Sequence, residues 1–145
     1  MRDFKTYYLW QIKTMLRREF PNMPAYNRFV ELAQRALPAM LVFLKTQMGQ
    51  CTDVGVVDST ALAVCHNRRI HSHKVFKDIA KRGKTSTGWF YGFKLHAVFN
   101  RLGELVTFRL SAGNTDDRQA LKQMAKQLSG TLVGDKGYIL SLIHI

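Results

Sequence analysis

The sequence predicts an α/β fold in which a mixed sheet with one crossover helix follows an N-terminal helical segment. Three observations carry this. Apolar residues recur at helical spacing through residues 1–50. From residue 53 onward the pattern changes to short runs rich in β-branched, small and aromatic residues. One amphipathic stretch separates the last two of these runs, which is the strand–helix–strand order of a right-handed crossover. The 145 residues, 46% hydrophobic and 11% aromatic, amount to one ordinary domain with enough apolar material for a packed core. A chain disordered throughout is excluded.

In the first segment Phe4, Tyr8, Ile12, Met15, Leu16 and Phe20 keep a helical period, Asp3 stands ready as N-cap, and Pro21 ends the pattern. A second helix is expected to take Asn22 as cap and Pro24 in its first turn. Its apolar face is Phe29, Leu32, Ala33, Ala36 and Leu37, and Pro38 should kink or interrupt it before Met40, Leu41 and Leu44. Such a pair reads as scaffolding, with a DNA-reading helix-turn-helix as the other reading.

The strand DVGVVDSTALAV sets Val54, Val56, Asp58, Thr60 and Leu62 on one face. His66 to Gly88 is a basic loop. WFYGFKLHAVFN and ELVTFRLSA form a hairpin across the Arg101-Leu102-Gly103 turn. Gly113 to Asp116 turns the chain and caps a helix from Asp117 to Leu128, whose apolar positions are Ala120, Leu121, Met124, Ala125 and Leu128. A short strand, TLVGDKGY, closes the order. The crossover sets it parallel to the first strand, which brings Asp58 and Asp135 together although they are 77 residues apart.

Lys and Arg number 22 against 10 Asp and Glu, a formal net charge of +12. An excess of this size points to a polyanion as partner. Half of it falls in residues 66–88, where seven basic side chains face one acid. There Arg68, Arg69, Lys74, Lys77, Lys81, Arg82 and Lys84 alternate with Ile70, Val75, Phe76 and Ile79, as expected of a surface that neutralises DNA phosphates. A solvated, flexible loop is the other reading. Lys94 and Lys136 complete the expected DNA-binding set. No membrane partner is expected: the longest apolar run, Ala36 to Leu44, is broken by Pro38, whereas a spanning helix needs roughly 20 apolar residues. The N-terminal MRDFKTYYLW lacks a signal-peptide core, so the expected location is cytoplasmic. Cys51 and Cys65 form no CxxC pair, which excludes a disulfide framework and a four-cysteine zinc site. Cys65, His66, His71 and His73 match no standard zinc spacing either.

Asp58 interrupts VVDST, a run that otherwise reads as buried, where an unpaired carboxylate costs several kcal/mol. A salt bridge to Lys94, or a hydrogen-bonded edge position, explains it structurally. Asp135 repeats the situation at the end of an apolar strand, with a turn aspartate as its ordinary explanation. Together, two acids at the ends of neighbouring strands suit a hard divalent cation, Mg²⁺ or Mn²⁺, that keeps positions open for phosphate. Beside a large basic surface, this points to phosphodiester chemistry. Lys94 and His96 share a strand face and either point toward the acids or serve structure. Asp116 and Asp117 read as cap and helix-dipole residues. Trp89, Phe90, Tyr91, Phe93 and Phe99 offer a base-stacking surface, though core packing explains most of them better.

The strings VVDST, GWFYGFKLHAVFN, SAGNTDDR and GDKGY, in this order and spacing, resemble the DDE transposases of bacterial insertion sequences, in the IS4-like superfamily. FPNMPAYNRFVEL is similar to the segment that precedes the catalytic core in one branch of these enzymes. The resemblance spans roughly residues 2–139. It implies an RNase H-like catalytic domain over 51–145 behind an N-terminal helical segment over 1–50. Asp58 then matches the first catalytic acid and Asp135 the second, together holding two Mg²⁺ or Mn²⁺ ions in the complete enzyme. It further implies metal-dependent cleavage and strand transfer, with insertion-sequence ends and target DNA as partners. The resemblance also implies a homo-oligomer in the synaptic complex, at the bacterial nucleoid. The family's third acid, a Glu on a downstream helix, has no counterpart in KGYILSLIHI. The expectation is therefore a truncated chain, trimmed also at its start, that is inactive alone and leaves apolar sheet surface uncovered. Two other readings stay open: a non-catalytic nucleic-acid-binding module, and an RNase H-like nuclease acting on other substrates.

Overall fold

The structure, a computed structural model, describes residues 3–50, 53–126 and 128–135. Two compact units divide the chain, Met1–Thr46 and Gln47–Ile145.

In the first unit, α1 (Phe4–Tyr7) starts from Asp3, whose carboxylate accepts the Thr6 N–H at 2.7 Å. This is the expected cap. The regular helix expected through Phe20 does not form. From Tyr8 to Met15 the coil widens to a π-helix, with the Leu16 N–H reaching back five residues to the Gln11 carbonyl at 3.0 Å. The Thr14 hydroxyl donates to the Leu9 carbonyl over the same span. Tyr8 and Ile12 stay buried in either coil, so an apolar period this short does not separate the two. Tyr8 packs on Phe29 with ring centroids 5.0 Å apart, and Phe4 on Phe29 at 5.9 Å. The second helix, α2 (Tyr26–Thr46), begins beyond Asn22 and Pro24, which therefore precede it rather than cap it. It also runs through Pro38 without a break. Good helix formers on both sides, Ala36-Leu37 and Ala39-Met40-Leu41, carry the helix past the one missing N–H donor.

In the second unit, five strands form one mixed sheet among the described residues: β1 (Val54–Cys65), β2 (Lys81–Thr85), β3 (Gly88–Asn100), β4 (Leu105–Ala112) and β5 (Thr131–Gly134). β3 is the centre. β1 lies antiparallel along one side of it, from Gly55 opposite Asn100 to Cys65 opposite Tyr91. The other side is shared end to end: β2 pairs with Gly88–Gly92 and β4 with Phe93–Phe99. The expected loop over His66–Gly88 thus contains a strand, and a 3-10 turn over Asn67–Ser72 as well. Where β2 and β4 meet, backbones come very close. A Cβ on Gly83 would run into the Gly113 carbonyl oxygen, and one on Gly92 into the Leu62 carbonyl oxygen of β1.

The β3–β4 turn at Arg101-Leu102-Gly103 is as expected, with Gly103 at φ +77°. α3 (Asp117–Ala125) starts where expected and ends three residues short of Leu128. The crossover it makes sets β5 parallel to β1, with Val54 opposite Thr131 and Val57 opposite Gly134. α3 covers one sheet face, where Val57, Val98, Leu121 and Met124 form the core with Val106, Leu128 and Leu132 packed around it. Residues on the other face stay open: Val56 is 49% exposed, Leu62 41%, Leu110 54% and Val133 51%. This mixed α/β arrangement, a three-strand antiparallel meander with a parallel strand beside its first member, is compatible with an RNase H-like core.

Candidate active site at the end of the parallel strand pair

Val57 and Gly134 are the last residues that β1 and β5 pair. Asp58 and Asp135 follow directly, at the same level of adjacent strands; Asp135 stands at the end of β5 as expected, whereas Asp58 lies within β1, which runs on to Cys65, rather than at a strand end. This is the juxtaposition expected from the crossover. Asp58 is not buried, however. Strand alternation turns Val57 into the core and Asp58 onto the open face, so no buried carboxylate has to be compensated. Its Oδ1 accepts the Ser59 N–H at 2.7 Å. Asp135 is exposed as well.

Both acids line a cavity of about 420 Å³ together with Ser59, Lys94 and Asp117, and with Lys84, Thr85 and Ser86 from the tip of the β2–β3 hairpin. Thr85 and Ser86 had no signal of their own in the sequence. They enter only because the basic segment folds as a hairpin whose KTSTG tip reaches the acids.

Lys94 does not pair with Asp58. Its Nζ donates to Asp117 Oδ1 at 2.8 Å and to the Thr115 carbonyl at 3.1 Å, with both side chains largely buried. Lys94 therefore ties β3 to the first turn of α3, and its charge is matched by Asp117. Asp116 caps α3 as expected, accepting the Arg118 N–H at 2.9 Å. The Arg118 guanidinium beside it holds the Asp116 carboxyl down to about 2. His96 is fully buried and shares a hydrogen bond with the Ser111 hydroxyl at 2.9 Å, a structural position rather than one facing the acids. Burial lowers its pKa from the ordinary 6.5; Asp117 opposes this, and Lys94 and Arg109 add to it.

Arg68, Arg69, Lys74, Lys77, Lys81, Arg82 and Lys84 are all exposed, and among the described residues none of them is ion-paired with a carboxylate. Arg68 and Arg69 stand on the 3-10 turn, Lys81, Arg82 and Lys84 on β2. Lys136 lies outside the described residues. His66 and His73 serve the local fold, accepting the N–H groups of Arg68 and Phe76 at 3.3 Å each.

Among the described residues no group of three or more His, Cys, Asp or Glu side chains gathers at metal-binding distance. The pair Asp58 and Asp135 nonetheless fits the donor chemistry of Mg²⁺, which takes one or two carboxylates, keeps several waters and leaves room for phosphate. The open cavity provides that room. Among the same residues no helix is long and apolar enough to cross a membrane.

Searches of curated proteins and of solved structures each found no match. The model of one family, described as the transposase DDE domain, matches residues 48–144, the whole sheet and the crossover helix included. Two aspartates delivered to one cavity by adjacent parallel strands, in a segment this family's pattern covers from end to end, lead to one assignment: the chain belongs to the transposase DDE domain family.

Proposed function

We propose that this chain is the catalytic-core portion of an insertion-sequence DNA transposase, with Asp58 and Asp135 holding the divalent ions. The observation that supports this most directly is the placement of the two acids immediately beyond the last paired residues of β1 and β5. In the reaction, a water oxygen attacks the phosphorus at the element's end and releases a 3′-hydroxyl, which then attacks a phosphodiester of the target. The ions, when bound, supply charge neutralisation and Lewis acidity at the reacting phosphate. Asp58 and Asp135 fix their position, and the exposed Arg68, Arg69, Lys74, Lys77, Lys81, Arg82 and Lys84 hold DNA phosphates. Two copies of the chain bring the element's ends together, and the work is done at the nucleoid.

Asp117, another carboxylate on the cavity wall, is held by Lys94, so Asp58 and Asp135 are the two carboxylates that would hold the ions. Plasmid nicking by the 145-residue chain alone is accordingly expected to be undetectable in Mg²⁺ or Mn²⁺. The direct test is Mn²⁺ binding by electron paramagnetic resonance. Asp58→Asn and Asp135→Asn should each weaken it about tenfold or more, the loss of one of two charged oxygen ligands. Asp53→Asn, at an exposed acid paired with Arg101, should not. Wild-type affinity in either site variant overturns the assignment. Nicking that Asp58→Ala and Asp135→Ala both abolish would show instead that the site is complete, with another acid such as Asp116 or Asp117 supplying the third ligand.

A further inference from the structure

We propose that Trp89 and the cavity it walls form a nucleotide subsite, in which an unpaired base of the DNA strand stacks on the indole ring. The proposal rests on the active-site reading above and adds the substrate's conformation: the strand presented to Asp58 and Asp135 carries a base out of the duplex.

Trp89 departs from the core role that the sequence suggests for its neighbours. Phe90 and Tyr91 are each 8% exposed, whereas Trp89 is 55% exposed. The ring is held in place from β2. The Arg82 guanidinium carbon lies 5.4 Å from the ring centroid and the Lys84 Nζ 5.8 Å, Lys84 being the residue directly opposite Trp89 across the hairpin. An open indole flanked by two cations combines a π surface for any base with charge for the phosphates on either side of it.

The surroundings complete the subsite. Trp89, Arg82 and Lys84 line a cavity of about 450 Å³ whose remaining wall includes Asn114 and Thr115, in the turn that enters α3. The Asn114 amide offers both a donor and an acceptor to a base edge. Lys84, Lys94 and Asp117 line this cavity and also the one that holds Asp58 and Asp135. A strand with one phosphate at the acids therefore has a neighbouring nucleotide within the reach of the indole. Fully paired DNA has no base free to use the ring, so the subsite selects strands that are frayed, extended or distorted beside the reacting bond.

Fluorescence-anisotropy titrations in EDTA test this without any contribution from metal, so failure of the Asp58–Asp135 assignment would not move the readout. Three probes share one duplex: blunt, with a single-stranded 3′ extension, and with the same extension made abasic. The base-bearing extension should tighten binding about tenfold, and the abasic one should not. Trp89→Ala should erase the gain and leave blunt-duplex binding in place, while Trp89→Phe, which keeps a ring, should retain most of it. Substituting Arg68 and Arg69 by Ala should weaken all three probes alike. Equal binding of the base-bearing and abasic extensions by the wild-type chain overturns the proposal, whatever the variants do. A Trp89→Ala protein that keeps the gain overturns it too.

Discussion

Replacing Lys94 by Met removes the charge that joins β3 to α3 while keeping the unbranched stem. The side chains of Lys94 and Asp117 are 14% and 21% exposed, and their contact is 2.8 Å. An exposed ion pair is worth at most about 1 kcal/mol. Removing one partner of a wholly buried pair costs about 3–5 kcal/mol, because the other charge is left uncompensated. With roughly a fifth of the Asp117 side chain still reaching solvent, the cost lies below that range. Asp117 is also the first residue of α3, where the helix N-terminus favours its charge by about 0.3–1 kcal/mol after Lys94 has gone. The expected loss is therefore about 2 kcal/mol. Urea unfolding followed by far-UV circular dichroism measures it, with an unchanged m-value as the sign that only stability has moved. Adding Asp117→Leu removes the stranded charge, so the double variant should recover most of the loss. Because Asp117 already balances Lys94, affinity for duplex DNA should barely change. A loss below about 0.5 kcal/mol, or a double variant whose losses merely add, would refute the reasoning.

Gly92→Ala should be the most damaging small substitution in the sheet. Its methyl would meet the Leu62 carbonyl oxygen and force β1 and β3 apart, with a loss of about 3 kcal/mol or more read as a collapse of the thermal midpoint. His96 should make stability fall with acidity. The unfolded chain takes up its proton below about pH 6.5, whereas the buried imidazole resists. The loss then runs at up to about 1.4 kcal/mol per pH unit, down to the folded-state value, and levels off below it. His96→Gln should flatten that part of the profile; Asp117, Lys94 and Arg109, the charged groups around it, are left in place. Asp116→Ala removes the cap of α3 and should lower the urea midpoint in the same assay, with Asp116→Asn losing much less.

The sheet was legible in the sequence wherever side chains alternate between a buried and an open face. β1, β3, β4 and the crossover through α3 all have that contrast, and with it came the meeting of Asp58 and Asp135. β2 was not legible, because Lys81-Arg82-Gly83-Lys84-Thr85 contains no apolar residue and becomes a strand only by pairing with the first half of β3. With β2 missed, the hairpin tip was missed, and so were Thr85 and Ser86 at the cavity and the exposure of Trp89. Asp58 was assigned to the right face but the wrong environment: an apolar sequence neighbourhood says nothing about whether a second layer covers that face. The π-helix at Tyr8–Met15 was illegible for a different reason, since its buried pair, Tyr8 and Ile12, suits either coil. Lys94 shows the limit of charge counting, which cannot tell a cation that faces solvent from one already neutralised by a residue 23 positions away.

The pairing of Val54–Val57 with Thr131–Gly134 has a consequence for how such a chain can change over time. Four residue pairs set the level at which both aspartates emerge, and the long stretch between the two strands has no part in that alignment. Lengthening or shortening the turns after β1, β3 or α3 leaves the carboxylates where they are. A single inserted or deleted residue inside either four-residue segment does not. It would shift one acid by about 3.3 Å along its strand and turn it to the opposite side of the sheet. Tolerance to insertion should therefore be sharply discontinuous: permissive around Arg101–Gly103, and absent in the few positions that lead directly into Asp58 and Asp135.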